Sequence, residues 1–465
     1  MKKQSKNVIW WCLWFVFALA LAAYFSWQLF LKKEKTAFLI GEASHGHFQI
    51  EMACETCHTS PFGGKDILQE ACENCHAEDL ELAHDSHPKK KFTDPRNADS
   101  IKILDARYCI SCHTEHQMEQ TRAMGVTLPD DYCFHCHVDI GEERESHKDL
   151  AFDSCASAGC HNFHDNRALY ESFLVENANQ DWIKTIVALP LVNATSIKNT
   201  ETKPALTLDE AVAPSAHMNE DILHDWEMSA HAQAGINCEG CHSTSQSQSN
   251  KVHQNNKKTN DIWIEKPGIE TCKQCHQQEV ATFKQGKHGM RLADEVSHPL
   301  SAVKPADSPS SASLQFHENA LQKHQSCTAC HSAHRFDREF AAVDACLGCH
   351  DDEHSQAFEA SPHGQIWQHA IATNADTGGL VSCASCHMPR GIEKSGGETI
   401  VSVNHNQNFN LRPNEKMLRS VCMNCHGLGF AINALADEGL IRNNFSGKPS
   451  VDIPSIEWAL KRENR

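Results

Sequence analysis

The chain has 465 residues, 42 Lys and Arg against 60 Asp and Glu, a formal net charge of −18, and 23 cysteines. So acidic a composition argues against nucleic acid as a partner, because phosphate contacts need Lys and Arg. It suits electrostatic steering toward a basic partner or a small redox protein, and it serves solubility equally well.

Residues Val8–Leu31 read as one apolar helix without a charge. At 1.5 Å per residue it reaches about 36 Å, enough to cross a bilayer. Trp10, Trp11 and Trp14 near one end, with Tyr24 and Trp27 near the other, suit the two interfacial belts. A cleaved signal peptide is the competing reading, but its apolar stretch would be only about 7–15 residues. An uncleaved anchor is the expectation. Lys2, Lys3 and Lys6 face Lys32, Lys33 and Lys35 across the span, so charge alone does not orient it. Cys12 lies inside this run, where a small apolar residue needs no chemistry.

Beyond the anchor, cysteines come in pairs with a histidine directly after the second. Ten groups have the form Cys-x-x-Cys-His. In the first half they are Cys54, Cys57 and His58; Cys72, Cys75 and His76; Cys109, Cys112 and His113; Cys133, Cys136 and His137. Next come Cys238, Cys241 and His242; Cys272, Cys275 and His276; Cys327, Cys330 and His331. The last three are Cys346, Cys349 and His350; Cys383, Cys386 and His387; Cys422, Cys425 and His426. A stretched eleventh, Cys155, Cys160 and His161, has four residues between its cysteines. Chance would give roughly 0.08 short matches in a chain of this composition. A disulfide framework would not place a histidine after every second cysteine, and a zinc ribbon needs paired knuckles instead. The chemistry that needs this order is covalent haem attachment: two thiols add to the vinyl groups and the adjacent histidine ligates iron. Eleven haems c are therefore expected.

The fold class that follows is mainly α with extensive loops. We expect a multihaem cytochrome c with two haem-packed modules and one N-terminal transmembrane helix. Haem faces would form much of the core, so helix content should be low by globular standards and sheet nearly absent. Residues 1–36 form the cytoplasmic N-terminus and anchor, 37–176 a five-haem module, 177–216 a polar linker, 217–435 a six-haem module and 436–465 a tail with a short helix at Ile456–Arg462. Ser243–Asn260 and Ser301–Ser313 read as surface loops. Covalent haem attachment takes place outside the bacterial inner membrane. The expected location is that membrane, single-pass, with the haem modules in the periplasm.

Twenty-one histidines lie outside the motifs, against eleven irons needing a sixth ligand. Two histidine ligands per iron leave no open site and make each haem a relay. In the first module the candidate distal ligands are His45, His84, His87, His116, His147 and His164, with His47 and His135 also spare. His116, His164 and His334 each stand three residues past a motif histidine, a spacing that aims the side chain at a neighbouring haem. His45 and His47 lie just outside the membrane, so a ligand there would hang a haem at the bilayer surface, unless the segment is only a polar linker.

From Asp225 onward the chain resembles the octahaem hydroxylamine oxidoreductase family. The matching stretches are DWEMSAHAQAGINCEGCH (225–242), TCKQCHQQEVATFKQGKHG (271–289), SCTACHSAHRFDREFAAVDACLGCHDDEHSQAFEASPHG (326–364), SCASCHMPRG (382–391) and CMNCHGLGFA (422–431). The resemblance covers about 200 residues and implies distal ligands at His231, His288, His334, His363 and His405. Two departures bear on chemistry. Residues 277–326 contain no cysteine, where the family carries its catalytic haem. The four tyrosines, Tyr24, Tyr108, Tyr132 and Tyr170, all lie in the first half, so the family's C-terminal crosslinking tyrosine has no counterpart. The family's active-site Asp-His pair corresponds to Glu353-His354. The first module is similar to small cytochrome c3-like relays in motif density alone.

Two functions are carried forward. One is a membrane-anchored relay passing electrons between a membrane donor, quinol or an integral redox complex, and a periplasmic redox protein. The alternative is a reductase or oxidoreductase of nitrite, hydroxylamine or sulfur oxyanions at one open haem. The relay reading takes no catalytic residue and makes the chain an electron carrier rather than an enzyme.

Overall fold

The computed structural model describes the chain apart from residues 1, 32–37, 45, 61–62, 118–119, 121–124, 130–131, 145–146, 149–161, 166–170, 179–204, 215–218, 244–262, 291–315, 318–319, 321–325, 336, 396–397, 412–415 and 464–465. The stretched motif of Cys155, Cys160 and His161, most of the linker, and His45 therefore lie outside the described residues.

An α-helix runs Lys2–Ser26 and continues as a π-turn at Trp27–Leu31. Its Val8–Ser26 portion has mean hydropathy 2.1, and none of it is buried against the rest of the chain. By length and composition it is able to cross a membrane or serve as a signal sequence.

The rest is mainly helical, and the attachment motifs are the reason. In seven of them the motif histidine donates its amide to the first cysteine's carbonyl, as in His113 to Cys109 O at 2.9 Å and His331 to Cys327 O at 2.9 Å. The others lie inside the continuous helices Lys65–Leu82, Cys238–His242 and Cys383–His387. One closed turn brings residues i and i+4 onto one face, so the first cysteine and the histidine share a side. Caps fix several of these turns. Asn237 accepts from the Gly240 amide at 3.1 Å, and Ser382 and Ser385 cap one another reciprocally. Over half of the described residues are helical. Helix is therefore more abundant than a loop wrapper implies, because each attachment site is itself a helical turn.

Among the described residues there is one sheet, the antiparallel hairpin β1 (Arg390–Ser395) and β2 (Glu398–Val403) with Arg390 opposite Val403. It delivers the chain to His405, whose amide donates to Thr282 Oγ1 at 3.2 Å.

Apolar packing is divided into small clusters. Val343, Phe358 and Trp367 form one, and Ala211, Trp226 and Ala232 another. The largest gathers Leu174, Met417, Leu418, Leu428, Ala431, Ile432, Leu435 and Ala459. It ties the helix Glu171–Asn177 to the C-terminal helix Pro454–Glu463, with the Arg419 guanidinium 3.8 Å from the Phe173 ring centre. The helix Glu171–Asn177 thus packs into a core built from residues 417–435 and the C-terminal helix. A second link joins the helices Lys65–Leu82 and Gln277–Gln285, where Gln285 Nε2 donates to Glu78 Oε2 at 3.4 Å.

Leu418 is fully buried at the centre of the largest cluster. Leu418→Ala should cost about 2–5 kcal/mol through lost contacts and the cavity left behind. The expected readout is a lower melting temperature with faster amide exchange in Glu171–Asn177. Unchanged exchange in that helix would contradict its docking here.

Candidate haem sites

Nine motif histidines each face a second histidine across a nearly constant gap. Ring centres are 6.0 Å apart for His47 and His76, 5.9 Å for His87 and His137, and 6.3 Å for His113 and His164. In the second module they are 6.3 Å apart for His231 and His276, and 6.1 Å for both His242 with His334 and His288 with His350. The series ends with His331 and His405 at 6.3 Å, and His354 with His387 and His363 with His426 at 6.2 Å. One iron between two imidazoles needs two metal–nitrogen bonds of about 2 Å plus half of each ring, about 6 Å in all. The gap therefore fits a six-coordinate iron. Among the described residues, no group of three or more His, Cys, Asp or Glu side chains is placed to hold a bare metal ion. Two opposed imidazoles suit a metal that brings its own equatorial ligands.

Eight of these eighteen rings are turned by a hydrogen bond at Nδ1, which leaves Nε2 for a metal. His113 donates to Gly125 O at 3.1 Å and His242 to Ile264 O at 2.6 Å. Of the opposing rings, His87 donates to Phe163 O at 2.5 Å, His231 to Ala333 O at 3.1 Å, His354 to Ile441 O at 2.5 Å and His405 to Val403 O at 2.9 Å. Carboxylates take this part for two others: Glu115 Oε1 at 2.7 Å from His47, and Asp85 Oδ1 at 3.1 Å from His164. Burial pushes His288 and His387 down to about 4, with a neighbouring histidine adding to the effect. Both are thus neutral at physiological pH, the form that binds iron. Burial also opposes charge on Glu115, but the bonds from His47 and Ser44 outweigh it and hold the carboxyl at about 2.

Two glycines permit close approach beside facing histidines. A Cβ on Gly289, next to His288, would collide with the Phe283 carbonyl, and one on Gly364, next to His363, with the Phe358 carbonyl.

The attachment cysteines are not shielded alike. The first cysteine of every described motif is half-buried. Among the second cysteines, Cys57, Cys75, Cys136, Cys275 and Cys330 are exposed, whereas Cys112, Cys241, Cys386 and Cys425 are half-buried. Cys349 is half-buried too, and its carbonyl accepts from the His317 amide at 3.0 Å. Cys160 lies outside the described residues. Helical geometry accounts for the split. A residue directly before the motif histidine stands about 100° round the turn from it, while the first cysteine shares the histidine's face. The first thiol is thus half-buried in every described motif, and the second in five of the ten. The role of every second cysteine as an attachment point rests on motif order, for the exposed Cys57, Cys75, Cys136, Cys275 and Cys330 as for the half-buried Cys349 and for Cys160.

Neighbouring motifs touch. The first cysteines of adjacent motifs share a thiol contact in three places: Cys72 with Cys109, Cys272 with Cys327, and Cys346 with Cys383. These sulfurs stand in for thioethers, so each contact marks where two attached haems would come edge to edge.

Of the distal candidates, His87, His164, His231, His288, His334, His363 and His405 each lie opposite a motif histidine, as the distances above give. Both His164 and His334 face a motif histidine other than their own. Four candidates differ. His45 is outside the described residues, and His47 is the ring opposite His76. His84 is exposed past the end of Lys65–Leu82, where positive φ turns the chain and leaves His87 to face His137. The His116 Nδ1 donates to Gly41 O at 2.9 Å, which staples the third motif to the segment just before the first motif. The turn after Ile140–Glu143 holds His147, its amide on Arg144 O at 2.9 Å.

By resemblance His354 is the counterpart of a catalytic histidine; it lies opposite His387 instead. A count carries that signal, since the resemblance implies five distal histidines for six motifs. Among the described pairs, none involves His58.

Against known proteins, the cytochrome c3 family model matches residues 46–138, and the cytochrome c554 and c-prime family model matches residues 271–344. The first spans four attachment motifs, while the second takes in the motifs that begin at Cys272 and Cys327. Both support a multihaem c-type cytochrome with covalently bound haem c, an electron-transfer class. No curated protein and no solved structure matches the chain.

His354→Ala removes one of the two rings at that site and leaves His387. The expected outcome is one new high-spin haem that binds carbon monoxide, with the other haems unaffected. A spectrum identical to the parent protein's would contradict the pairing.

Proposed function

We propose that the chain is a membrane-anchored periplasmic cytochrome with eleven haems, relaying electrons between a membrane donor and a periplasmic redox protein. The observation that carries this reading is the repeated gap of 5.9–6.3 Å between opposed histidine rings. Both cysteines of every motif hold haem, the exposed second thiols and Cys160 included. The proximal ligands are the eleven motif histidines, among them His58 and His161. The distal ligands are His47, His87, His164, His231, His288, His334, His354, His363 and His405. When bound, each haem supplies an iron that cycles between two valences.

The polypeptide supplies the rest. The paired imidazoles would hold each iron from both sides, so a small molecule would find no vacant place on it. Thiol contacts between motifs set neighbouring haems close, and the Glu78–Gln285 contact brings the two modules together. The apolar helix Val8–Ser26 supports an anchor, which would hold the His47 end near the bilayer and suit quinol or an integral redox complex as donor. Because haem c is attached outside the cytoplasm, the location that fits is the bacterial inner membrane with both modules in the periplasm.

The resemblance of residues 225–431 to hydroxylamine oxidoreductases fits an inherited scaffold. Turnover of nitrite, hydroxylamine or sulfur oxyanions would need an iron with one free face. His354, the residue on which that alternative leans, stands opposite His387 in the manner of an ordinary ligand pair. The relay is therefore preferred.

Full-length holoprotein in vesicles containing quinol tests the anchor and donor together. Haem reduction should be at least about tenfold faster than in a soluble form lacking residues 1–36, while dithionite reduces both alike. Equal rates with quinol would contradict a membrane donor.

A further inference from the structure

The second motif differs from the other described sites in what surrounds its ligands. Glu115 belongs to the third motif, between His113 and His116, yet its carboxylate reaches back to the segment before the first motif. It accepts from the Ser44 amide at 2.7 Å, from Ser44 Oγ at 2.7 Å and from His47 Nδ1 at 2.7 Å. On the other side, Asp79 Oδ2 lies 3.7 Å from His76 Nδ1, one turn along the same helix. The His47–His76 site thus has one carboxylate hydrogen-bonded to one ring and a second carboxylate, beyond hydrogen-bond reach, nearest the other.

The other described sites have less. His164 has Asp85 at 3.1 Å, but its opposite ring, His113, donates to a backbone carbonyl. Glu279 is 4.0 Å from His276 and Asp352 is 3.9 Å from His350, beyond hydrogen-bond reach. His354 and His405 rest on neutral carbonyls.

A carboxylate accepting from Nδ1 raises the basicity of the ring's other nitrogen. A more basic ligand stabilises ferric over ferrous iron and lowers the reduction potential, as does nearby negative charge. Lys416 sits close enough to Asp79 to offset part of its charge, so Glu115 is the stronger of the two.

We propose that Glu115 is a positioning residue that holds the haem of Cys72 and Cys75 as the lowest-potential centre of the chain. It rests on the bis-histidine reading of the His47–His76 pair and adds a rank order to it. The consequence is directional. The helix Lys65–Leu82 that carries this motif also carries Glu78, which contacts Gln285 of the second module. A strongly reducing centre at that junction releases electrons downhill toward haems whose ligands lean on neutral carbonyls.

The test is a redox titration of the holoprotein, followed by low-temperature electron paramagnetic resonance, with Glu115→Gln beside the parent chain. The lowest one-electron step should rise by about tenfold in its equilibrium constant, about 59 mV for one electron. All other steps should move less. Asp79→Asn should raise the same step by a smaller amount, and Asp85→Asn should move a different one. If Glu115→Gln keeps every haem low-spin and the lowest step does not move, the proposal is overturned while the bis-histidine reading stands. If the parent protein shows the His47–His76 haem to be high-spin, the reading beneath the proposal fails instead.

Discussion

Opposed imidazoles held about 6 Å apart, the span an iron between them would need, join distant stretches of chain, and the rest of this structure depends on that constraint. The pairs join residues far apart in sequence: His331 with His405, His363 with His426, His288 with His350. With the proposed haem bound, each would act as a crosslink through a metal, closing a loop whose entropy a small core would not offset alone. The apolar clusters are correspondingly small and separate, as with Val343, Phe358 and Trp367. A chain of this length ordinarily builds a larger common core. Here the order comes from ligand pairs and single helical turns.

The electrostatic consequences follow from what stands behind each ligand. Backbone carbonyls accept from Nδ1 of six of the paired rings, which orients them without adding charge. Where a carboxylate takes that place, as at His47 and His164, the same bond also shifts electron density toward the metal. Sites that share the same Cys-x-x-Cys-His spacing are thereby set apart from one another. The motifs fix where haems are attached. Their surroundings decide how readily each is reduced.

Much of this is legible in the sequence. The motifs give the cofactor class, the mainly helical fold and the apolar N-terminal helix, because these depend on local order alone. Both His288 and His363 precede a glycine, a local mark of the close approach that seats them. The facing of His47 toward His76, in place of the neighbouring His45, is not legible, since two histidines so near in sequence are equivalent until the chain's path is known. His84 and His87 pose the same choice, and the turn with positive φ at His84 decides it. Nor does motif order tell a half-buried first thiol such as Cys72 from an exposed second one such as Cys75, because that depends on which side of the turn meets the next motif. His354 resembles a remnant of a reaction centre until its partner His387 is in view. Long-range carboxylates such as Glu115 have no sequence signal at all; 68 residues separate it from His47.

The central claim is that histidine pairs cap the irons on both faces. Near-infrared magnetic circular dichroism of the fully oxidised holoprotein, with and without cyanide, tests it most directly. The account predicts low-spin, bis-histidine ferric haem at the nine paired sites, unchanged by cyanide. A high-spin, cyanide-binding fraction larger than two haems in eleven would contradict it.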